Sequence, residues 1–201
     1  GYRRVMFSVD NFAGNRRWTI EVLEGMLRRN IRMGWVAQAR VEAARDPEIV
    51  DLMARTHCSL LMIGLESVNQ ATLQEFGKHQ SVDEIAKAVE VFGKRDISIC
   101  GMFILGGDND DVETVRATVE FCRRTRLPYV QFSVLFPIPG TPLFERLERE
   151  GRILTRDWSL FDGSHVVFRP AKFRPAELQR WYVWAWKKVY GPVSYTHLTL
   201  P

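Results

Sequence analysis

The chain has little cysteine and arranges none of it for joint use. Cys58, Cys100 and Cys122 are the whole complement, and no CxxC pair occurs. An odd, dispersed set argues against a disulfide framework and fits a reducing, cytoplasmic setting. Cys100 falls in an apolar run and Cys122 on an apolar helix face, where a free cysteine behaves as a small hydrophobe. His57, His79, His165 and His197 lack ligand spacing, so no metal ligand is assigned. No apolar run approaches the roughly 18–20 residues that cross a bilayer, so no transmembrane segment is expected. No signal peptide is visible. The sequence opens Gly1-Tyr2-Arg3-Arg4, without an initiator Met, and enters a strand-like run at once. It reads as a fragment. A large excess of one charge is lacking: 28 Lys and Arg against 24 Asp and Glu leave a net value of +4. Arg28, Arg29, Arg116, Arg123, Arg124 and Arg126 lie mostly on helix-like stretches with Glu and Asp among them. That pattern describes solvated helix faces, and no nucleic-acid partner is expected.

What the chain does have is a repeated pattern. Five short apolar runs end in polar, charged or glycine residues, and a helix-like stretch follows each. Residues 5–9 lead into Asp10-Asn11, 35–39 into Arg40, and 60–65 into Glu66-Ser67. Residues 99–105 lead into Gly106-Gly107-Asp108, and 130–136 into Pro137-Ile138-Pro139-Gly140. The run ends are spaced by 30, 26, 40 and 30 residues. Strand–helix units of that length build parallel sheets or barrels, with chemistry at the C-terminal strand ends. Five units are too few for a closed barrel of about 250 residues. The expected fold is therefore α/β: a partial (β/α) TIM-like barrel of parallel strands, with five strand–helix units and a C-terminal helical extension. Residues 1–151 form the partial barrel and 152–191 an extension covering it. Residues 192–201 read as a non-native tail, because 193–201 carry no Asp, Glu, Lys or Arg and fit no element.

Helix signals support the pattern. Asn15 can cap a helix with Ile20, Leu23 and Leu27 inward, and Asp46-Pro47 opens another. Ser81-Val82-Asp83-Glu84 is a capping box whose helix stops at Gly93. Asp110 to Glu113 has a similar form, and Thr141-Pro142 caps a helix ending at Gly151. Residues 166–168 suit one short strand, and 175–190 a C-terminal helix rich in aromatics, which docks over the barrel or else lies on a membrane surface.

Each strand end has two readings. Asp10-Asn11 can accept an ammonium group or form an Asx turn that caps the next helix. Arg40 can clamp a carboxylate or phosphate, or pair with a neighbouring strand end. Glu66 follows a strongly apolar strand, and a buried carboxylate needs a partner. That partner is a ligand, such as a ribose diol, or Arg40. Gly106-Gly107 admits close approach to the backbone but lacks the GxGxxG and P-loop patterns. No residue is singled out as catalytic.

Taken together, these ends resemble the radical SAM superfamily, specifically its cobalamin-binding branch. The stretches concerned are residues 7–12, 35–40, 64–67, 101–106 and 137–143, with 157–170 resembling the segment after the barrel. The resemblance implies S-adenosylmethionine (SAM) as cofactor. Asp10 and Asn11 would meet the methionine amino group, and Arg40 and Ser67 the polar end of SAM. Glu66 would approach the ribose and Gly106 the adenine. It also implies a 4Fe–4S cluster, a cobalamin, a small-molecule substrate and an external electron donor. Two departures stand out. Gly107-Asp108-Asn109-Asp110-Asp111 replaces the Leu-Pro-Gly-Glu-Thr of many relatives, and no CxxxCxxC cluster motif occurs. The cluster ligands are expected upstream of Gly1, and this chain alone is expected to be inactive. The expected function is that of a fragment of a radical SAM enzyme that cleaves SAM reductively to start radical chemistry or methyl transfer. The alternatives are a cluster-free SAM- or nucleotide-binding module or pseudoenzyme, and an unrelated barrel enzyme using Glu66 as base.

Overall fold

A computed structural model describes residues 2–191. The expected tail at 192–201, with His197, lies outside the described residues. Five parallel strands alternate with helices in one open sheet. They are β1 (Arg4–Phe7), β2 (Gly34–Ala39), β3 (Cys58–Glu66), β4 (Ser98–Leu105) and β5 (Tyr129–Val134). Their order in the sheet is their order in the chain, so each crossover advances one strand in the same direction. The expected partial barrel of strand–helix units is thus observed. The helices are α1 (Arg16–Arg28), α2 (Pro47–Arg55), α3 (Gln70–Glu75), α4 (Val82–Gly93), α5 (Val112–Arg124), α6 (Pro142–Arg149) and α7 (Pro175–Tyr190). Among the described residues, no helix is long and apolar enough to cross a membrane.

The chain divides into two compact units. The first runs to Leu65 and adds Gln80–Met102 and Thr125–Gln131. Val36 pairs with Met6 on one side and Leu60 on the other, in parallel register. Trp35, Leu61, Ile63 and Phe92 are buried in its core. Phe12 packs on Phe7 and Trp35, with ring centroids 4.9 and 4.8 Å away. Fully buried Thr19 satisfies its hydroxyl on the Phe12 carbonyl at 2.8 Å. The caps fall where expected. Asn15 accepts from Trp18 N, Asp46 from Glu48 N and Ile49 N, and the Ser81–Glu84 capping box is complete.

The second unit contains Glu66–His79, Phe103–Arg124 and the chain from Phe132 onward. Phe103 meets Phe121 of α5 edge-on and Phe132 of β5 at a tilt, and Trp186 of α7 sits edge-on to Phe132 at 5.6 Å. Arg116 of α5 lies over the Trp181 ring at 5.3 Å. The C-terminal helix thus uses aromatics for packing beside α5. The expected strand at 166–168 is a single antiparallel bridge, Ile153 to Phe168.

Two helix readings need correction. α3 was not anticipated: it has six residues and one fully buried apolar side chain, Leu73, too short for a periodic pattern. The start of α5 is one residue later than the Asp110–Glu113 pattern suggests. Asp111 accepts from Thr114 N at 3.0 Å and serves the helix, which frees Asp110 for another task.

Candidate functional site

In the first unit, β1 ends and the chain turns through Asp10 and Asn11 into α1. Phe12 N donates to the Gln38 carbonyl at 2.9 Å, which fixes this turn against β2. Asp10 is exposed and Asn11 half-buried. The Asx-turn reading is not what caps α1, because Asn15 does that. Instead, Asn11 Oδ1 is buried and has no hydrogen-bond partner among the described residues. A buried carbonyl oxygen without a donor is costly, and such exceptions call for an explanation. Arg40 follows β2 at the N-cap of a 3-10 turn, Val41–Arg45, and makes no side-chain cap bond. It is exposed, and the expected ion pair with a strand end does not form among the described residues.

In the second unit, Glu66 closes β3. Its partner is Lys78, whose Nζ lies 2.8 Å from Oε1, and not the Arg40 that strand adjacency suggests. Lys78 follows α3, the helix the periodicity missed, so nothing in the linear pattern pointed to it. Glu66 also has φ +63°. Four other non-glycine residues share that region: Asn30, His57, Asp96 and Arg126. Each of them lies just past a helix end, where a left-handed residue commonly closes the last turn. Glu66 alone sits at a strand end, so its strain lacks that routine cause. Ser67 is buried, and its hydroxyl accepts from Asn69 N at 3.0 Å, an ST turn that leads into α3.

Gly106 has φ +102°, and a Cβ there would lie 2.6 Å from Leu178 Cδ2. Its glycine is therefore demanded by the protein's own packing. Its N–H and that of Gly107 both donate to Asp110 Oδ2 at 3.0 Å. Asp110 is fully buried and also accepts from Thr72 Oγ1 at 2.5 Å. Burial pushes its carboxyl above the ordinary range, although these three donors pull it back. Asp108 behaves oppositely. Its burial would raise it, but Arg152 and Arg146, each at 2.6 Å, outweigh that and hold it low.

Donor chemistry decides which groups these residues can hold. A thiolate-bound cluster needs several converging, deprotonated cysteines. Burial pushes Cys58 and Cys122 up to about 12. Among the described residues, no group of three His, Cys, Asp or Glu could hold a metal ion. The described residues do not fit a 4Fe–4S cluster. Asn11 Oδ1 is a buried acceptor without a donor among the described residues, whereas Glu66 already has Lys78 as its partner.

A fold of parallel strand–helix units with polar strand ends defines a class of barrel proteins that bind ligands at those ends. The family model of the Radical SAM superfamily matches residues 1–122. The chain belongs to that superfamily, whose members use SAM and a 4Fe–4S cluster. It is 33% identical over 193 residues to a bacteriochlorophyllide d C-12(1)-methyltransferase of Chlorobaculum tepidum, covering 94% of this chain and 41% of that one. A hopanoid C-2 methylase of Rhodopseudomonas palustris is 31% identical, covering 76% of this chain and 30% of that protein. Among solved structures, the radical SAM methyltransferase TsrM of Kitasatospora setae, with cobalamin and a [4Fe-4S] cluster bound, superposes with a TM-score of 0.64. At 20% identity, covering 90% of this chain and 38% of TsrM, that likeness shows the fold. The chain spans less than half the length of these relatives.

Proposed function

We propose that this chain is the SAM-binding part of a cobalamin-dependent radical SAM methyltransferase. Both relatives above are named for methyl transfer, and TsrM carries cobalamin. The observation that carries the reading is Asn11. Its buried, unpartnered Oδ1 is an acceptor waiting for a donor, and the methionine ammonium of SAM supplies one. Exposed Asp10 adds a negative charge beside it, and Arg40 is free to meet the carboxylate. In the second unit, Glu66 offers a carboxylate to the ribose hydroxyls, oriented by Lys78. Ser67 extends the same turn, and Gly106 lies beside the adenine. SAM, when bound, supplies the methyl group or the radical. The residues of this chain bind it and orient it. The substrate would be a large apolar ring system, as the relatives' names imply, and the electron would come from an external donor.

Equilibrium dialysis of the chain against SAM tests this. Saturable binding is expected, weakened at least about tenfold in Asn11→Leu, since an unpaired ammonium costs about 1.5–3 kcal/mol. No saturable binding by a folded chain, or an unchanged Asn11→Leu, would overturn the proposal. Anaerobic iron–sulfur reconstitution of the protein from the complete reading frame then tests reductive SAM cleavage.

A further inference from the structure

α7 carries more aromatic and cationic side chains than its packing uses. Leu178, Ala185 and Val189 are buried, Trp186 sits on Phe132, and Trp181 lies under Arg116 of α5. These residues make the face turned to the protein. At 3.6 residues per turn, Arg180, Val183, Trp184 and Lys187 fall together on the other face. Val183 is 42% exposed, and Tyr190, at the edge of that face, 40%. Arg180 and Lys187 are exposed and make no ion pair among the described residues. Half-buried Trp184 stands between them, with Lys188 Nζ 5.9 Å from its ring. No Asp or Glu occurs from residue 178 to 191, and the Glu177 carboxylate is engaged at the helix start, accepting from Arg174 N. On the neighbouring α5, Glu113 is paired with Arg116. The two helices together hold six Arg and Lys against three Glu, so the surface is positive.

We propose that this outer face of α7 rests on an anionic lipid surface. Tryptophan, tyrosine and an aliphatic side chain flanked by long cations compose a helix that lies at the boundary between water and bilayer. Val183 and the Trp184 ring enter the headgroup region. Arg180 and Lys187 lay their apolar stems along them and keep their charges at the lipid phosphates. The positive surface supplies the charge complementarity. With 16 residues α7 lies on the membrane, since no helix among the described residues is long and apolar enough to cross one. A convex stripe with an aliphatic side chain at its centre lacks the groove that tracks a nucleic-acid strand. The docking stands apart from the SAM reading, because none of the residues assigned to SAM is on α7. A large apolar substrate, as proposed above, would be met at such a surface.

Co-sedimentation of the whole chain with vesicles tests this, using phosphatidylcholine alone or mixed with phosphatidylglycerol. The wild type should bind the anionic vesicles at least about tenfold more tightly than the neutral ones. Its tryptophan emission should shift to the blue on binding, and about 1 M salt should weaken binding by screening the charges. The double variant Arg180→Gln/Lys187→Gln should lose at least about tenfold on anionic vesicles. Trp184→Ala should bind more weakly and lose most of the emission shift. Urea unfolding establishes that the variants are folded, and SAM binding by the double variant should equal that of the wild type. Absence of vesicle binding, equal binding to both vesicle types, or a folded double variant that binds like the wild type would overturn the proposal. So would a dimer in sedimentation equilibrium that Trp184→Ala breaks, without vesicle binding, which would give the face to a second copy of the chain. Binding to single-stranded DNA but not to vesicles would overturn it too.

Discussion

Replacing Gly106 with Ala asks whether this glycine serves the protein's packing or only leaves room for a ligand. Two costs are expected. At φ +102° a Cβ is disfavoured, by about 1–2 kcal/mol. The new methyl would also lie 2.6 Å from Leu178 Cδ2, and Leu178 is fully buried. Forcing an extra methyl into a packed site costs about 1–3 kcal/mol. The expected loss is therefore about 2–5 kcal/mol, or about 4–20 °C in Tm for a chain of this size. The double-mutant cycle with Leu178→Ala separates the two causes. Leu178→Ala alone should cost about 2–5 kcal/mol as a cavity. In its presence Gly106→Ala should lose only the backbone part, so a coupling of about 1–3 kcal/mol is expected. Urea unfolding followed by tryptophan fluorescence measures all four proteins. A Gly106→Ala cost that is the same with and without Leu178 would refute the steric argument. A cost below about 0.5 kcal/mol would refute both arguments.

Asp108 and Asp110 should titrate with opposite effects on stability. Asp108 is held low when folded, so its contribution is present above the ordinary aspartate pKa, about 3.9, and fades as pH falls through its folded value. Asp108→Asn should flatten the acid limb of a Tm–pH profile. Asp110 is held high, so stability should decline as pH rises from that ordinary value to its folded one, and Asp110→Asn should remove that decline. The thiols of Cys58 and Cys122, pushed up to about 12, should resist iodoacetamide at pH 8 in the native chain and react fully in denaturant; fast native labelling of both would contradict their burial. Asn15→Ala should cost about 1 kcal/mol through the lost cap on Trp18 N, measured by urea unfolding.

Strand and helix order were legible because apolar runs and caps are local signals. Each of the five apolar runs became a strand, and Asn15, Asp46, Ser81 and Thr141 cap the helices they announce. The end of β1 was placed two residues late, since Ser8 and Val9 continue the alternation without continuing the ladder. The site was legible only as positions. That Asp10, Asn11, Arg40, Glu66, Ser67 and Gly106 lie at or just after strand ends follows from the pattern, but their partners do not. Glu66 finds Lys78 and Gly106 finds Leu178, 12 and 72 residues away in sequence. Asp110 shows the limit most clearly. Its position three residues before Glu113 is that of a helix cap, yet its carboxylate turns back to Gly106 and Gly107.

The absence of a CxxxCxxC motif is read from the sequence alone, whereas the tertiary structure decides that Cys58, Cys100 and Cys122 form no ligand group among the described residues. Periodicity and capping, being local, likewise determined the parallel strand–helix architecture. Only the tertiary structure decided which charges meet. The pairing of carboxylates with the backbone amides after β4 depends on α3, six residues whose few local contacts leave no periodic trace. It is that helix, through Thr72 and Glu75, that holds two carboxylates on the amides of the β4 turn.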